Sequence, residues 1–207
     1  MKRTINILLL VLFVGTSFNQ AKAQAFSGRG SNYTSIGWNL SELNCWYKEN
    51  NKGLKGRFSP IYNGINFQFE KGLGKWFGMA FNIGAGYAGN QYSGFFNSYS
   101  WLTTNNYYRS IAVPIGLQGN FHFFQMIQDL TESSIGADKL DIYVCFGAGA
   151  GPVFLLPRED GLESEVGIAA YGDVQLGVRY YPSNNVGFFA QAGYGKSLLN
   201  LGIVFHK

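Results

Sequence analysis

From Ile168 to Tyr180, every second residue is apolar, small or aromatic: Ile168, Ala170, Gly172, Val174, Leu176, Val178 and Tyr180. The residues between them are Ala169, Tyr171, Asp173, Gln175, Gly177 and Arg179, and they carry all the charge of the run. A period of two predicts a strand whose faces meet different surroundings. Pro182, Ser183, Asn184 and Asn185 then supply turn residues. The next run repeats the alternation, with Val186, Phe188, Ala190, Ala192 and Tyr194 against Gly187, Phe189, Gln191 and Gly193. After a tight turn at Lys196–Leu198, Leu199, Leu201, Ile203 and Phe205 alternate with Asn200, Gly202 and Val204. In a soluble sandwich the apolar face looks inward. Here the opposite face offers Gly, Gln, Asn, Asp and Arg, which suits a small polar lumen with lipid outside.

The same signal recurs upstream in strands read at Tyr33–Asn44, Ile61–Glu70, Trp76–Ala88, Tyr107–Phe123 and Leu140–Phe154. With the three above, the expected fold is all-β, an eight-stranded antiparallel transmembrane β-barrel with short periplasmic turns and longer external loops. Cys45–Pro60, Gly89–Asn106 and Pro157–Val166 read as the external loops, and Lys71–Lys75 and Pro182–Asn185 as turns. Two connections depart from that rhythm. Phe124–Lys139 is long for a turn, with Ile127 and Leu130 spaced like one face of a short helix. Lys196–Leu198 is short for a loop. Pro114 removes a ladder bond in a sheet that has no edge, so a local bulge is expected there.

The N-terminus points to the same compartment. Lys2 and Arg3 precede an apolar run from Ile5 to Val14 broken only by Asn6, and Ala21-Lys22-Ala23 offers small residues at a cleavage site. Residues 1–23 therefore read as a secretory signal peptide and residues 24–207 as the barrel domain. The run is too short to span a bilayer, which takes ~20 residues. Composition changes the picture only slightly. The chain is +4 overall, but Lys2, Arg3 and Lys22 lie in a leader without acids, so the remainder is nearly balanced and nucleic acid is not an expected partner. Charged residues are 14% and aromatic residues 17%, with 28 glycines, as suits a lipid-facing wall around a crowded interior. The two cysteines, Cys45 and Cys145, are expected as thiols rather than a disulfide.

The runs DVQLGVRYYPSNNVGFFAQAGYG (Asp173–Gly195) and LNLGIVF (Leu199–Phe205) resemble the C-terminal half of small Gram-negative outer-membrane barrels of the PorT-like family. YRSIAVPIGL (Tyr108–Leu117) and GAGAGPVF (Gly147–Phe154) are similar to that family's central strands. The resemblance implies a barrel fold, an outer-membrane location and no assigned activity for most members, with a few linked to protein secretion across the outer membrane. Such barrels often end on an aromatic residue read by the assembly machinery. Here Phe205 holds the outward parity, followed by His206 and Lys207.

Chemistry is sought first in the lumen. An eight-stranded barrel has just enough interior to be filled by side chains, so a conducting pore is not expected. Glu70, Asp173, Gln175, Arg179, Gln191 and Asn200 all have inward parity and are expected to form a polar network, since buried charges need partners. No catalytic residue, metal or cofactor is assigned. His122 is the one inward-facing histidine of a strand, and the rival reading as a lipid-modifying enzyme would rest on it. A binding surface is expected instead in the uncharged external loop, from Tyr92, Phe95, Phe96, Tyr99 and Trp101, because rigid aromatics among small polar residues suit adaptable contacts. The expected partners are outer-membrane lipid and lipopolysaccharide, the barrel-assembly machinery during insertion, and an envelope protein that would meet Phe124–Lys139. The expected function is a non-catalytic barrel that is structural or binds at the surface. The alternatives are an accessory subunit of an outer-membrane secretion complex, a lipid-modifying enzyme, or a soluble ligand-holding barrel.

Overall fold

The computed structural model describes residues 25–47, 56–58, 61–89, 108–132, 136, 138–158 and 164–207. The proposed leader, and loop residues Tyr92, Phe95, Phe96, Tyr99 and Trp101, lie outside these. The described strands are β1 (Asn32–Glu42), β2 (Asn44–Tyr47), β3 (Gly56–Phe58), β4 (Ile61–Gly72), β5 (Phe77–Ala88), β6 (Tyr108–Ala112), β7 (Ile115–Phe121), β8 (Leu140–Pro157), β9 (Glu165–Tyr180), β10 (Val186–Tyr194) and β11 (Leu199–His206). One helix, α1 (Phe123–Thr131), follows β7.

The sheet closes on itself. The order β9-β10-β11-β1-β4-β5 is completed by β5 pairing with β6 and β7, those two with β8, and β8 with β9. With β6 and β7 as two halves of one strand, the ring has eight staves, each antiparallel to its neighbours. The closing seam joins β1 to β11 from Tyr33↔His206 to Leu40↔Leu199. Closure satisfies the backbone without water, which is why a spanning sheet must have no edge. Side chains sort by parity as the alternation predicts. Ile65, Phe69, Phe81, Leu117, Phe146, Leu176 and Phe188 are exposed outside, while Gln68, Asn82, Gln118, Gln175 and Arg179 are buried inside.

Two expectations are corrected. No bulge forms at Pro114. Between the pairs Gly86↔Ala112 and Ile83↔Ile115, Gly84 and Ala85 face Val113 and Pro114 one for one. Likewise Gly151 and Pro152 face them between Val153↔Ala112 and Ala150↔Ile115. The strand keeps its register because the Val113 amide donates to the Pro152 carbonyl (3.0 Å) and the Pro114 carbonyl accepts from Gly84 (2.9 Å). Pro114 and Pro152, which faces Val113, each lack the bond that a proline nitrogen cannot donate. The second correction concerns Cys45–Pro60, which is not all loop. β2 and β3 form a short hairpin, and β2 pairs with β9 at Asn44↔Ala170 and Cys45↔Ala169. β10 reaches β9 only as far as Tyr194↔Val174, so the chain leaving β1 bends over and takes up the β9 edge that β10 leaves bare. The shortness of the β10–β11 connection thus has a structural counterpart. Its tip is tied to β1 by the Leu198 amide on the Leu40 carbonyl (2.7 Å).

At the end that carries the short turns, the N-terminal segment folds back under the ring. The Gly30 amide donates to the Gly72 carbonyl and the Gly72 amide to the Ser31 carbonyl, both at 2.9 Å. Ala25 and Phe26 are buried there, and the Ser27 amide donates to the Tyr33 hydroxyl (2.9 Å). This is called the turn end below, and the opposite one the loop end.

Candidate functional site

Parity and register bring four charged or ionisable groups to one level of the lumen near the turn end. Asp141 on β8 lies directly opposite Arg179 on β9. Glu70 on β4 reaches the same point from across the ring, and His122, just past the end of β7, from the strand beside β8. His122 Nε2 is 2.9 Å from Glu70 Oε1, and Nδ1 is 2.9 Å from Asp141 Oδ2. Arg179 Nη2 donates to Glu70 Oε2, and its Nη1 lies 3.7 Å from Asp141 Oδ2. With a carboxylate at each ring nitrogen, an imidazolium that donates from both is the form that fits. Two cations then face two carboxylates, so the cluster is neutral as a whole. Buried ions are tolerated on those terms.

Aromatic rings wall this cluster. The Arg179 guanidinium lies over Tyr143 at 4.4 Å and over Tyr33 at 5.1 Å. Phe26 stacks on His122 with ring centroids 3.5 Å apart and planes 9° from parallel. Glycine makes room for one of these rings. A Cβ on Gly177 would sit 2.3 Å from the Tyr143 ring, so the ring lies flat across β9 only because that position is bare. His122 is fully buried, and among the described residues its ring nitrogens meet carboxylates and no hydroxyl or thiol. The strand that the sequence carries through His122 to Phe123 ends at Phe121, and the helix begins at once, with His122 at its N-cap position.

Above this level lies a layer of amides. Gln191 Nε2 donates to the Tyr143 hydroxyl (3.0 Å), and Asn200 Nδ2 donates to Gln191 Oε1 (3.0 Å). Toward the loop end the lumen is filled from above. Lys196, at the tip of the β10–β11 connection, is buried and donates to Asn82 Oδ1 (2.9 Å) and Gln118 Oε1 (3.0 Å). Gln175 Nε2 donates to the Ser197 carbonyl (3.1 Å), so β9 also holds the folded-in tip. Asp173 is buried beside it, and neither carboxylate oxygen has a hydrogen-bond partner among the described residues. Cys145 donates to the Gln175 carbonyl (3.5 Å), and Cys45 lies 3.3 Å from the Tyr62 hydroxyl, so both cysteines are buried thiols.

The six residues expected as one network therefore all face the lumen but do not join into one. Glu70 and Arg179 pair, Gln191 and Asn200 bond in the amide layer, and Gln175 holds the folded-in tip. Asp173 does not meet Arg179, because six residues along one strand separate them by several levels of the ring. Sequence reading missed His122, Asp141 and Lys196 as members. The parity of Asp141 and His122, inward at the same ends of neighbouring strands, is the signal that points to them. Lys196 sits in a turn and has no such signal. Among the described residues no cluster of His, Cys, Asp and Glu is arranged to hold a metal ion.

No family model and no curated protein matches the chain. Solved structures do resemble it in overall form. Ail, the attachment invasion locus protein of Yersinia pestis, is 15% identical with a TM-score of 0.44, the match covering 86% of this chain and 95% of Ail. The N-terminal β-barrel domain of Pseudomonas aeruginosa OprF is 12% identical with a TM-score of 0.46, covering 88% of this chain and 100% of that domain. A backbone structure of Ail in a phospholipid bilayer nanodisc is 14% identical with a TM-score of 0.42, covering 86% and 100%.

Proposed function

We propose that this chain is a non-catalytic outer-membrane barrel with a sealed, structural lumen, acting at its loop end. One observation carries the reading: a closed ring whose outer face is apolar and whose buried interior is polar. Water on the outside would reward the opposite arrangement. Short turns belong to the periplasmic side of such barrels, so the turn end is periplasmic and the loop end external. The His122 cluster then serves as a charge-balanced plug rather than a catalytic site. A base must reach a reacting proton, whereas Phe26 covers this ring and carboxylates hold both its nitrogens. Outer-membrane lipid and lipopolysaccharide are the surroundings of the wall and loops, and the assembly machinery is the partner that inserts it. The aromatic loop with Tyr92, Phe95, Phe96, Tyr99 and Trp101 is the proposed contact surface.

Membrane fractionation followed by gel mobility with and without boiling tests this. A detergent-extracted band that runs compactly until boiled is expected, and recovery in the soluble fraction refutes the reading. The PorT-like motifs at Tyr108–Leu117 and Asp173–Gly195 favour a second reading, an accessory subunit of an outer-membrane secretion complex. Affinity purification in mild detergent separates the two. A stoichiometric envelope protein supports the subunit, and a lone barrel supports surface binding.

A further inference from the structure

Helix α1 is amphipathic, and its two faces are placed in an unusual way for a helix packed on a protein. Its polar side is turned toward the barrel. Asp129 Oδ2 accepts from Trp76 Nε1 at 2.8 Å, Asp129 Oδ1 accepts from Gln125 Nε2 at 2.8 Å, and Lys75 Nζ lies 3.4 Å from Oδ2. Gln125 and Asp129 also line a cleft of about 550 Å³ against Phe26, Ser27 and Gly28 of the segment that closes the lumen. The polar side therefore faces the barrel axis. At 3.6 residues per turn, Phe123, Ile127 and Leu130 fall on the opposite side. Ile127 is 41% and Leu130 66% exposed. In water, a nine-residue helix would gain by the reverse orientation.

We infer that α1 lies in the headgroup region of the periplasmic leaflet, with Ile127 and Leu130 in the acyl boundary, as a brace between barrel and bilayer. The inference rests on the reading that the ring spans a membrane. Position argues for lipid as the occupant. α1 continues directly from β7, whose neighbours β5 and β8 carry the Phe77–Phe146 ring pair on the outer wall (centroids 6.4 Å apart). The outward side of the helix thus extends the apolar belt at its periplasmic rim. On the other side, Lys75 lies 5.3 Å over the Trp76 ring and both meet Asp129, which fixes the face of α1 that points away from the barrel. A helix this short binds no membrane by itself. Here the barrel holds it in place, so only its apolar side has to enter the interface.

Nitroxide labels on single cysteines test this in the full chain reconstituted into vesicles of phosphatidylethanolamine and phosphatidylglycerol. Both native cysteines are buried in the folded barrel, so the label is added to the folded protein. Labels replace Leu130, Glu132 as a water-exposed reference, and Leu117 as a belt reference. Collision with oxygen should exceed collision with a water-soluble nickel chelate at 117 and at 130, and the order should reverse at 132. A label at 130 that behaves like 132 while 117 reports lipid overturns the inference and leaves the barrel reading intact, and the apolar side is then left for a protein partner. Water-like behaviour at 117 as well refutes the barrel reading itself. Ile127→Ser with Leu130→Ser provides an independent check. The barrel should keep its compact unboiled band, but a label at 123 should lose at least half of its oxygen preference. An unchanged label at 123 counts against the seat in lipid.

Discussion

The two halves of the lumen solve the same problem differently. At the turn end, Glu70, His122, Asp141 and Arg179 come from strands or their immediate ends, and each finds an opposite charge within bonding distance. At the loop end, Lys196 arrives from a turn and bonds to neutral amides, while the Asp173 carboxylate has no hydrogen bond among the described residues. The first half is a rigid seal written into strand parity. The second depends on a connection folding inward, so its stability follows that tip. The comparison teaches that the half carrying the most charge need not be the half that yields first, because pairing rather than charge count sets the cost of burial.

Breaking the seal should have the largest effect. Arg179→Met leaves Glu70 and Asp141 sharing His122 alone, and removing one partner of a buried ion set costs about 3–5 kcal/mol. Urea unfolding in detergent, followed by the loss of the compact gel band, should show a fall of that order. A change near zero would mean that the cluster contributes nothing to stability. Next comes Gly177→Val, which drives a side chain into the Tyr143 ring and should cost about 1–3 kcal/mol through overpacking, without touching a charge. Its effect should be absent when combined with Tyr143→Ala.

Lys196→Met should cost less, about 1 kcal/mol. Two amide oxygens lose their donor, but a buried ion is also removed. Paired with Asp173→Asn it sharpens the contrast. If the two charges sense each other, the double variant should be less destabilised than the two singles added together. Simple additivity would show that they act separately. The smallest effect is expected at Asp129. Burial raises its pKa, but the hydrogen bonds from Trp76 and Gln125 and the Lys75 charge outweigh that and hold it below the usual Asp value. A lowered folded pKa means that the stabilisation is present above the unfolded value of 3.8 and is lost as pH falls through the lower folded value. Trp76 emission should thus be constant through neutral and mildly acid pH, shift only in strong acid, and cease to titrate in Asp129→Asn.

Much of this was legible in the residues, and the rest failed for local reasons. Alternation identified every stave of the ring, because an apolar outside and a polar inside force opposite characters onto successive positions. It also turned all six expected lumen residues inward. Parity alone put Asp173 and Arg179 into one expected network, although six residues along a strand set them in different halves of the lumen. β2 pairs with β9 because β10 stops short, and the length of a neighbour is not written in the Cys45–Pro60 segment itself. Pro114 needed no bulge because the bonds around it hold the register. Ile127 and Leu130 read as one helix face, but only the bonds of Asp129 to Trp76 and Lys75 show that this face is turned outward.

Retention of a small solute by proteoliposomes tests the sealed lumen most directly. Vesicles that float with the protein, and from which it runs as the compact unboiled band, are loaded with a small anionic dye. A sealed barrel holds the dye as long as protein-free vesicles do, at any protein-to-lipid ratio. Leakage that rises in proportion to the number of inserted barrels would show an open path past Arg179 and Lys196 and would contradict the structural lumen.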